Sequence, residues 1–232
     1  MQDIGFDLIA DLNLKSSDEL DWSHKSTSLY CLVAGNVSSD LRVVRETLKH
    51  LSNYYQGVFY VPGTLEYESA TDIPDRLAQL KGMTSNIKNV AMMNQHVAII
   101  DGIALLGVNG WNSSRLDGDD FDMYSVIARE TELEYLGQSI SRLQRHLDVK
   151  KVIVLTNAVP HPDLYFREKP TYVDDQTPLS NVLTFDTEKK VSHWVFGSYD
   201  KLVDKNIDGI TYVNNPVIDK SIYYAKRITL SV

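Results

Sequence analysis

The sequence is poor in cysteine. Cys31 stands alone in 232 residues, which excludes an internal disulfide framework and fits a reducing compartment. It lies in the apolar run 29–34, where a buried, inert thiol is the expectation. Long hydrophobic runs are also missing: none exceeds the length of a strand, so no transmembrane helix is expected. The N-terminus shows no basic segment followed by an apolar stretch, hence no signal peptide is expected either. No lysine or arginine run occurs, and the net charge is -8. That balance argues against binding to nucleic-acid backbones or anionic membranes. Repeats, low-complexity tracts and linkers are absent too. The expectation is a cytoplasmic protein folding as one domain over residues 1–232, long enough to build a core without staples.

What is present alternates. Short apolar runs and longer helical patterns follow one another, the layout of an α/β protein. Strands are expected at 6–10, 29–34, 58–61, 97–100, 103–108, 152–155, 182–185, 193–196, 210–213 and 223–231. Leu41, Val44, Leu48, Leu51 and Tyr55 step by three and four, one face of a helix over 40–55. A second helix is expected over 74–87. The third and strongest reads along Ile127, Glu130, Leu133, Leu136, Ile140, Leu143 and Leu147. Asp101-Gly102, between two apolar runs, predicts a tight hairpin.

Several strands end on small polar residues, where α/β sheets place ligand sites. Ordinary turn chemistry selects the same residue types, so order and spacing decide. The chain presents Ala10-Asp11-Leu12-Asn13-Leu14, then Gly35-Asn36-Val37-Ser38-Ser39-Asp40, then Pro62-Gly63-Thr64-Leu65-Glu66. Thr156-Asn157-Ala158-Val159-Pro160 and Gly197-Ser198-Tyr199-Asp200 follow. This series resembles the five strand-end motifs of the calcineurin-like metallophosphoesterases: D-x-H, G-D-x-x-D, G-N-H-E, T-H near a proline, and G-H-x-H. Asn215-Pro216 resembles the family's closing asparagine-proline, and Leu106 to Asn112, with Trp111, its segment after the third motif. The resemblance covers nearly the whole chain. It implies a four-layer α/β/β/α sandwich of two mixed sheets flanked by helices.

The resemblance also implies which groups are missing. Asp11 alone keeps its type as a metal ligand. Asn13 stands for a histidine, Asn36 for the carboxylate that bridges two metals, and Thr64 for a metal-binding asparagine. Leu65 occupies the position of the proton donor, while Asn157, Ser198 and Asp200 stand for three further histidines. Glu66 matches but is not a principal metal ligand in the family. Manganese, iron and zinc favour imidazole, and no aligned histidine remains. A neutral amide cannot neutralise two cations as a bridging carboxylate does, and leucine donates no proton. Without two metals, no hydroxide is activated at neutral pH.

These nine positions therefore read as a vestigial active site with no catalytic residue and no metal. Asn13, Asn36 and Asn157 are expected to hydrogen-bond Asp11, in the space cations fill in the family. The function expected is binding, to another protein of unknown identity, with no cofactor. The alternatives are a phosphoesterase using a single weakly bound Mg or Mn, held by Asp11, Asn13, Asn36 and Asp200, or noncatalytic binding of a phosphorylated ligand.

Other candidates read more plainly. His161, held between Pro160 and Pro162, is not expected to serve as a displaced ligand. Asp117, Asp119, Asp120 and Asp122 lack the spacing of a calcium loop and are expected in a solvated loop. The pairs Tyr54-Tyr55, Tyr165-Phe166 and Tyr223-Tyr224 are expected to turn one ring inward and one outward.

Overall fold

The computed structural model describes residues 3–15, 20–68, 70–111, 119–165, 177–219 and 223–232, and of 119–123 the backbone alone. In chain order the first elements are β1 (Asp3–Ile9), β2 (Tyr30–Ala34), α1 (Leu41–Ser52), β3 (Gly57–Val61) and α2 (Ile73–Ser85). Then come β4 (Val90–Met92), β5 (His96–Ile100), β6 (Ile103–Gly107), α3 (Asp119–Gln144) and β7 (Lys151–Thr156). The last strands are β8 (Val191–Phe196), β9 (Asp204–Ile207), β10 (Ile210–Val213) and β11 (Lys226–Ser231). They form a five-stranded sheet, β11-β1-β2-β3-β4, and a six-stranded sheet, β5-β6-β7-β8-β10-β9.

Side-chain alternation along the strands decides the layers. Phe6, Leu8, Leu32, Phe59 and Val61 of the first sheet pack against Leu105, Ile153, Leu155 and Val195 of the second. Their neighbours Ile9, Cys31, Val33, Val58 and Tyr60 turn the other way, onto Val44, Leu48 and Leu51 of α1 and Leu80 of α2. On the far side, Leu106, Val152, Val154 and Trp194 pack on Leu136, Ile140 and Leu143 of α3. This is the expected four-layer sandwich. Strands β1 to β4 run parallel, as do β6, β7, β8 and β10, so their carboxyl ends open into neighbouring loops.

Local chemistry sets the boundaries. The Asp40 carboxylate accepts the Arg42 N–H and caps α1. Asp72 caps α2, and Pro74 sits in the first turn where it displaces no hydrogen bond. The hairpin β5–β6 forms at Asp101 and Gly102, both left-handed at φ 45° and 86°. Cys31 is fully buried, and burial pushes its thiol well up, which fits an inert core side chain. Among the described residues, no helix is long and apolar enough to cross a membrane.

Several expectations need correction. Residues 182–185 are no strand but part of a 3-10 helix, Leu179–Phe185. Leu179 and Val182, three apart, share its buried side. The last strand begins at Lys226, not 223. The stripe read along α3 holds only at Leu136, Ile140 and Leu143; Ile127 is 58% exposed, and Leu147, 85% exposed, lies past the helix. Stepping back from Leu136 by four and three, the buried face continues through Glu132, Arg129 and Ser125. Asp119, Asp120 and Asp122 belong to α3 and not to a loop; their side chains, like Asp117 and Phe166, lie outside the described residues. Strands β4 and β9 were not foreseen. Both are short edges, and β9 is polar up to its last residue, Ile207, so neither carries an alternating pattern. Tyr55 and Tyr223 turn inward while Tyr224 is exposed.

Candidate functional site

The strand-end loops meet without room between them. A Cβ on Gly197 would lie 2.0 Å from the carbonyl oxygen of Ala34, and one on Gly63 would lie 2.3 Å from Asn36 Oδ1. Glycine is required at both, and loops from the two sheets touch through backbone. Asn157 ties them further. Its Nδ2 donates to the Ala34 carbonyl at 3.2 Å, and its Oδ1 accepts the Thr64 N–H at 3.3 Å.

Asp11 lies at the centre, 6% exposed. Asn36 Nδ2 donates to its Oδ1 at 2.7 Å, and the Ser198 N–H donates to the same oxygen at 2.9 Å. Asn36 Oδ1 in turn accepts the Leu65 N–H at 3.0 Å. Four residues of this cluster hold left-handed backbone: Asp11 at φ 52°, Asn13 at 47°, Asn36 at 54° and Ser198 at 56°. Asp and Asn tolerate that region better than most residues, and such conformations collect at functional loops.

The structure does not bring all nine positions together. Asn13 is exposed, and its Nδ2 donates to the backbone carbonyl of Asp11 instead of the carboxylate. Asn157 bonds other loops, as above. Of the three amides expected on the Asp11 carboxylate, only Asn36 donates to it. Thr64 is buried with its hydroxyl 3.5 Å from Asn36 Oδ1, and Leu65 is half-buried. Asp200 leaves the cluster: its side chain is 82% exposed, 3.8 Å from Lys201 Nζ. The physical reason is Asn214, which accepts the Val203 N–H and donates to the Tyr199 and Lys201 carbonyls, pinning that loop outward.

The donor set does not fit a pair of divalent cations. Metal ions need lone pairs aimed at a common point. Here Asp11 Oδ1 already accepts two N–H donors, Asn36 Oδ1 accepts another, and Ser198 presents an N–H. Among the described residues, no three His, Cys, Asp or Glu side chains gather as ligands. His161, half-buried, lies 5.7 Å ring to ring from Tyr212, and its Nδ1 accepts the Asp163 N–H.

Two further carboxylates organise the loops. Glu66 is fully buried and accepts the N–H groups of Asn36 (3.1 Å), Val37 (2.7 Å) and Gly63 (2.8 Å). Burial pushes its carboxyl up to about 7, against the pull of those donors. Glu132 on α3 is 1% exposed and accepts the N–H groups of Asn109 (3.2 Å) and Gly110 (2.6 Å). Burial raises it to about 7 also. Beside it, Arg129 donates to the carbonyls of Gly110, Trp111 and Thr177, and burial lowers its guanidinium to about 10. Asn109 Nδ2 reaches the Pro62 carbonyl at 2.6 Å, and the Trp111 ring lies 4.8 Å from that of Tyr67. Sequence reasoning missed Asn109, Arg129 and Glu132 as functional neighbours. The available signal was the period of α3, which leads back from Leu136 to Glu132 and Arg129.

No family model matches the sequence. Over 121 residues the chain is 26% identical to uncharacterized protein L509 of Acanthamoeba polyphaga mimivirus, a match spanning 45% of this chain and 43% of that protein. Among solved structures, the phosphopantetheinyl hydrolase PptH of Mycobacterium tuberculosis superposes with a TM-score of 0.64 at 15% identity. It covers 97% of this chain and 96% of the hydrolase. A putative 5'-nucleotidase from Staphylococcus aureus gives 0.55 at 11% identity, over 100% of this chain and 51% of the nucleotidase. GAP50, the anchor in the inner membrane complex of Plasmodium, gives 0.56 at 12% identity, over 92% and 71%. The fold is therefore metallophosphoesterase-like.

Proposed function

We propose that this chain is a noncatalytic protein built on the metallophosphoesterase-like fold, without metals at the strand ends, acting by binding another protein. The observation that carries this is the Asp11 carboxylate. One of its oxygens takes an amide N–H from Asn36 and a backbone N–H from Ser198, where a metallohydrolase needs that oxygen on cations. Leu65 supplies no proton donor at the position the resemblance assigns to one. The outward position of Asp200 also removes a ligand from the single-cation alternative. An anchoring role for the same fold in GAP50 supports binding as its use. In cells, the cytoplasm fits the lone buried thiol.

The test is elemental analysis of the purified chain, joined to phosphomonoester and phosphodiester assays in added Mn or Mg. The expected result is substoichiometric metal and no turnover above buffer. Turnover that Asp11→Ala abolishes overturns the reading.

A further inference from the structure

The flank of α3 beside its Glu132 face carries a second feature. A groove of about 330 Å³ runs between the helix and the 3-10 helix Leu179–Phe185. Its floor is apolar. Gly137 lets the Phe185 ring lie so close that an added Cβ would stand 2.9 Å from the ring. Phe185 is nevertheless 51% exposed, and Leu133 beside it is half-buried. One end of the groove is basic: Arg142 and Arg145 are exposed there, and neither makes an ion pair among the described residues. Lys190 Nζ lies at the same helix end, donating to the Leu143 and His146 carbonyls at 3.0 and 2.9 Å. Glu134 marks the other end.

Arg142 donates to Gln138 Oε1 at 3.5 Å, and among the described residues neither arginine meets a carboxylate, although the chain carries a net charge of -8. Charge of the opposite sign is what they would attract. The surface is concave, which suits a side chain inserted from a peptide and not the flat face of a bilayer. From Glu134 to Gln144, the last residue of α3, the helix rises roughly 15 Å, room for about four to five residues of extended chain. We infer that this groove is a docking site for an extended acidic segment of a partner protein. One apolar side chain of that segment packs on the exposed side of the Phe185 ring, whose other side covers Gly137, and carboxylates downstream of it meet Arg142 and Arg145. The inference rests on the preceding reading only in taking the partner to be a protein.

The experiment uses a fluorescent peptide carrying one leucine followed by consecutive aspartates, titrated with the full chain by anisotropy. A lysine-for-aspartate peptide and phosphatidylserine vesicles serve as the other probes. The expected result is binding of the acidic peptide alone, weakened by salt. Arg142→Glu/Arg145→Glu, folded by thermal melting, should weaken it at least about tenfold, as charge reversal across an interface does, and should take up the lysine peptide instead. Equal binding of both peptides, no binding, an unaffected variant, or binding to vesicles alone overturns the inference. Because the strand-end cluster is untouched by these changes, phosphoester turnover and peptide binding fail or succeed independently.

Discussion

Asp11 and Glu66 sit in loops that touch, yet the two carboxylates are used differently. Among the described residues, Asp11 takes one side-chain amide and one backbone N–H, and it keeps slight contact with solvent. Glu66 is sealed from water and holds three backbone N–H groups from two loops. Glu132 repeats that role for Asn109 and Gly110. The difference teaches what keeps the strand ends in place. Buried N–H groups must find acceptors; Glu66 and Glu132 accept five of them, while Asp11, Asn36 and Asn157 accept those of Ser198, Leu65 and Thr64. The cradle is thus held by clamps that survive when the aligned ligand positions are Asn, Thr or Ser.

Breaking the clamps should produce the largest effects. Glu66→Leu orphans three buried donors, each worth about 1–3 kcal/mol when left unsatisfied, so a loss of about 3–5 kcal/mol is expected. Glu132→Leu orphans two and leaves the buried Arg129 without its neighbouring anion, for about 2–4 kcal/mol. Urea unfolding measures both. A loss below about 1 kcal/mol in either would remove the distinction between these clamps and the Asp11 cluster.

The same clamps predict a pH dependence. Both carboxyls are pushed from an ordinary 4.5 up to about 7 by burial. The folded state then holds protons that the unfolded chain releases. The stability this provides is fully present below about 4.5 and is lost as pH rises through about 7, by about 3 kcal/mol per carboxylate. Melting temperature should accordingly be higher at pH 5 than at pH 8. Glu66→Gln, neutral at every pH, should remove about half of that difference. An unchanged slope in this variant would show that Glu66 does not titrate there.

How much of this was legible without coordinates differs between the layers and the loops. Strands β2, β3 and β7 are continuous apolar runs closed by Gly, Pro or Asn, and the β5–β6 hairpin follows from Asp101-Gly102 alone. These are local signals. The run at 182–185 failed because four apolar or small residues do not separate a strand from one helical turn. The candidate site was legible as a frame, since motif order placed Asp11, Asn36, Thr64, Glu66, Asn157 and Ser198 at strand ends that do meet. Asp200 was misjudged because its position depends on Asn214, a contact across the loop that no spacing encodes. Glu132 and Arg129 were hidden by their charge, which reads as solvent-facing although helical period places them inward.

The smallest effect is the most discriminating. Asp11→Asn keeps an oxygen for Asn36 Nδ2 and the Ser198 N–H while removing the negative charge. In a hydrogen-bonded cluster it should change stability by less than about 1 kcal/mol, whereas Asp11→Ala, which orphans the Asn36 amide and the Ser198 N–H, should cost about 2–4 kcal/mol. A metal centre reverses that order of importance. There the charge is what holds the cation, and bound metal contributes its binding energy to folding. Asp11→Asn would then strip the ion and lower the melting temperature about as far as a chelator does on the parent chain. Melting curves of the parent and both variants, with and without EDTA, distinguish the cases. Superposable curves for the parent and Asp11→Asn, insensitive to EDTA, are the outcome that a metal-free Asp11–Asn36 pair requires.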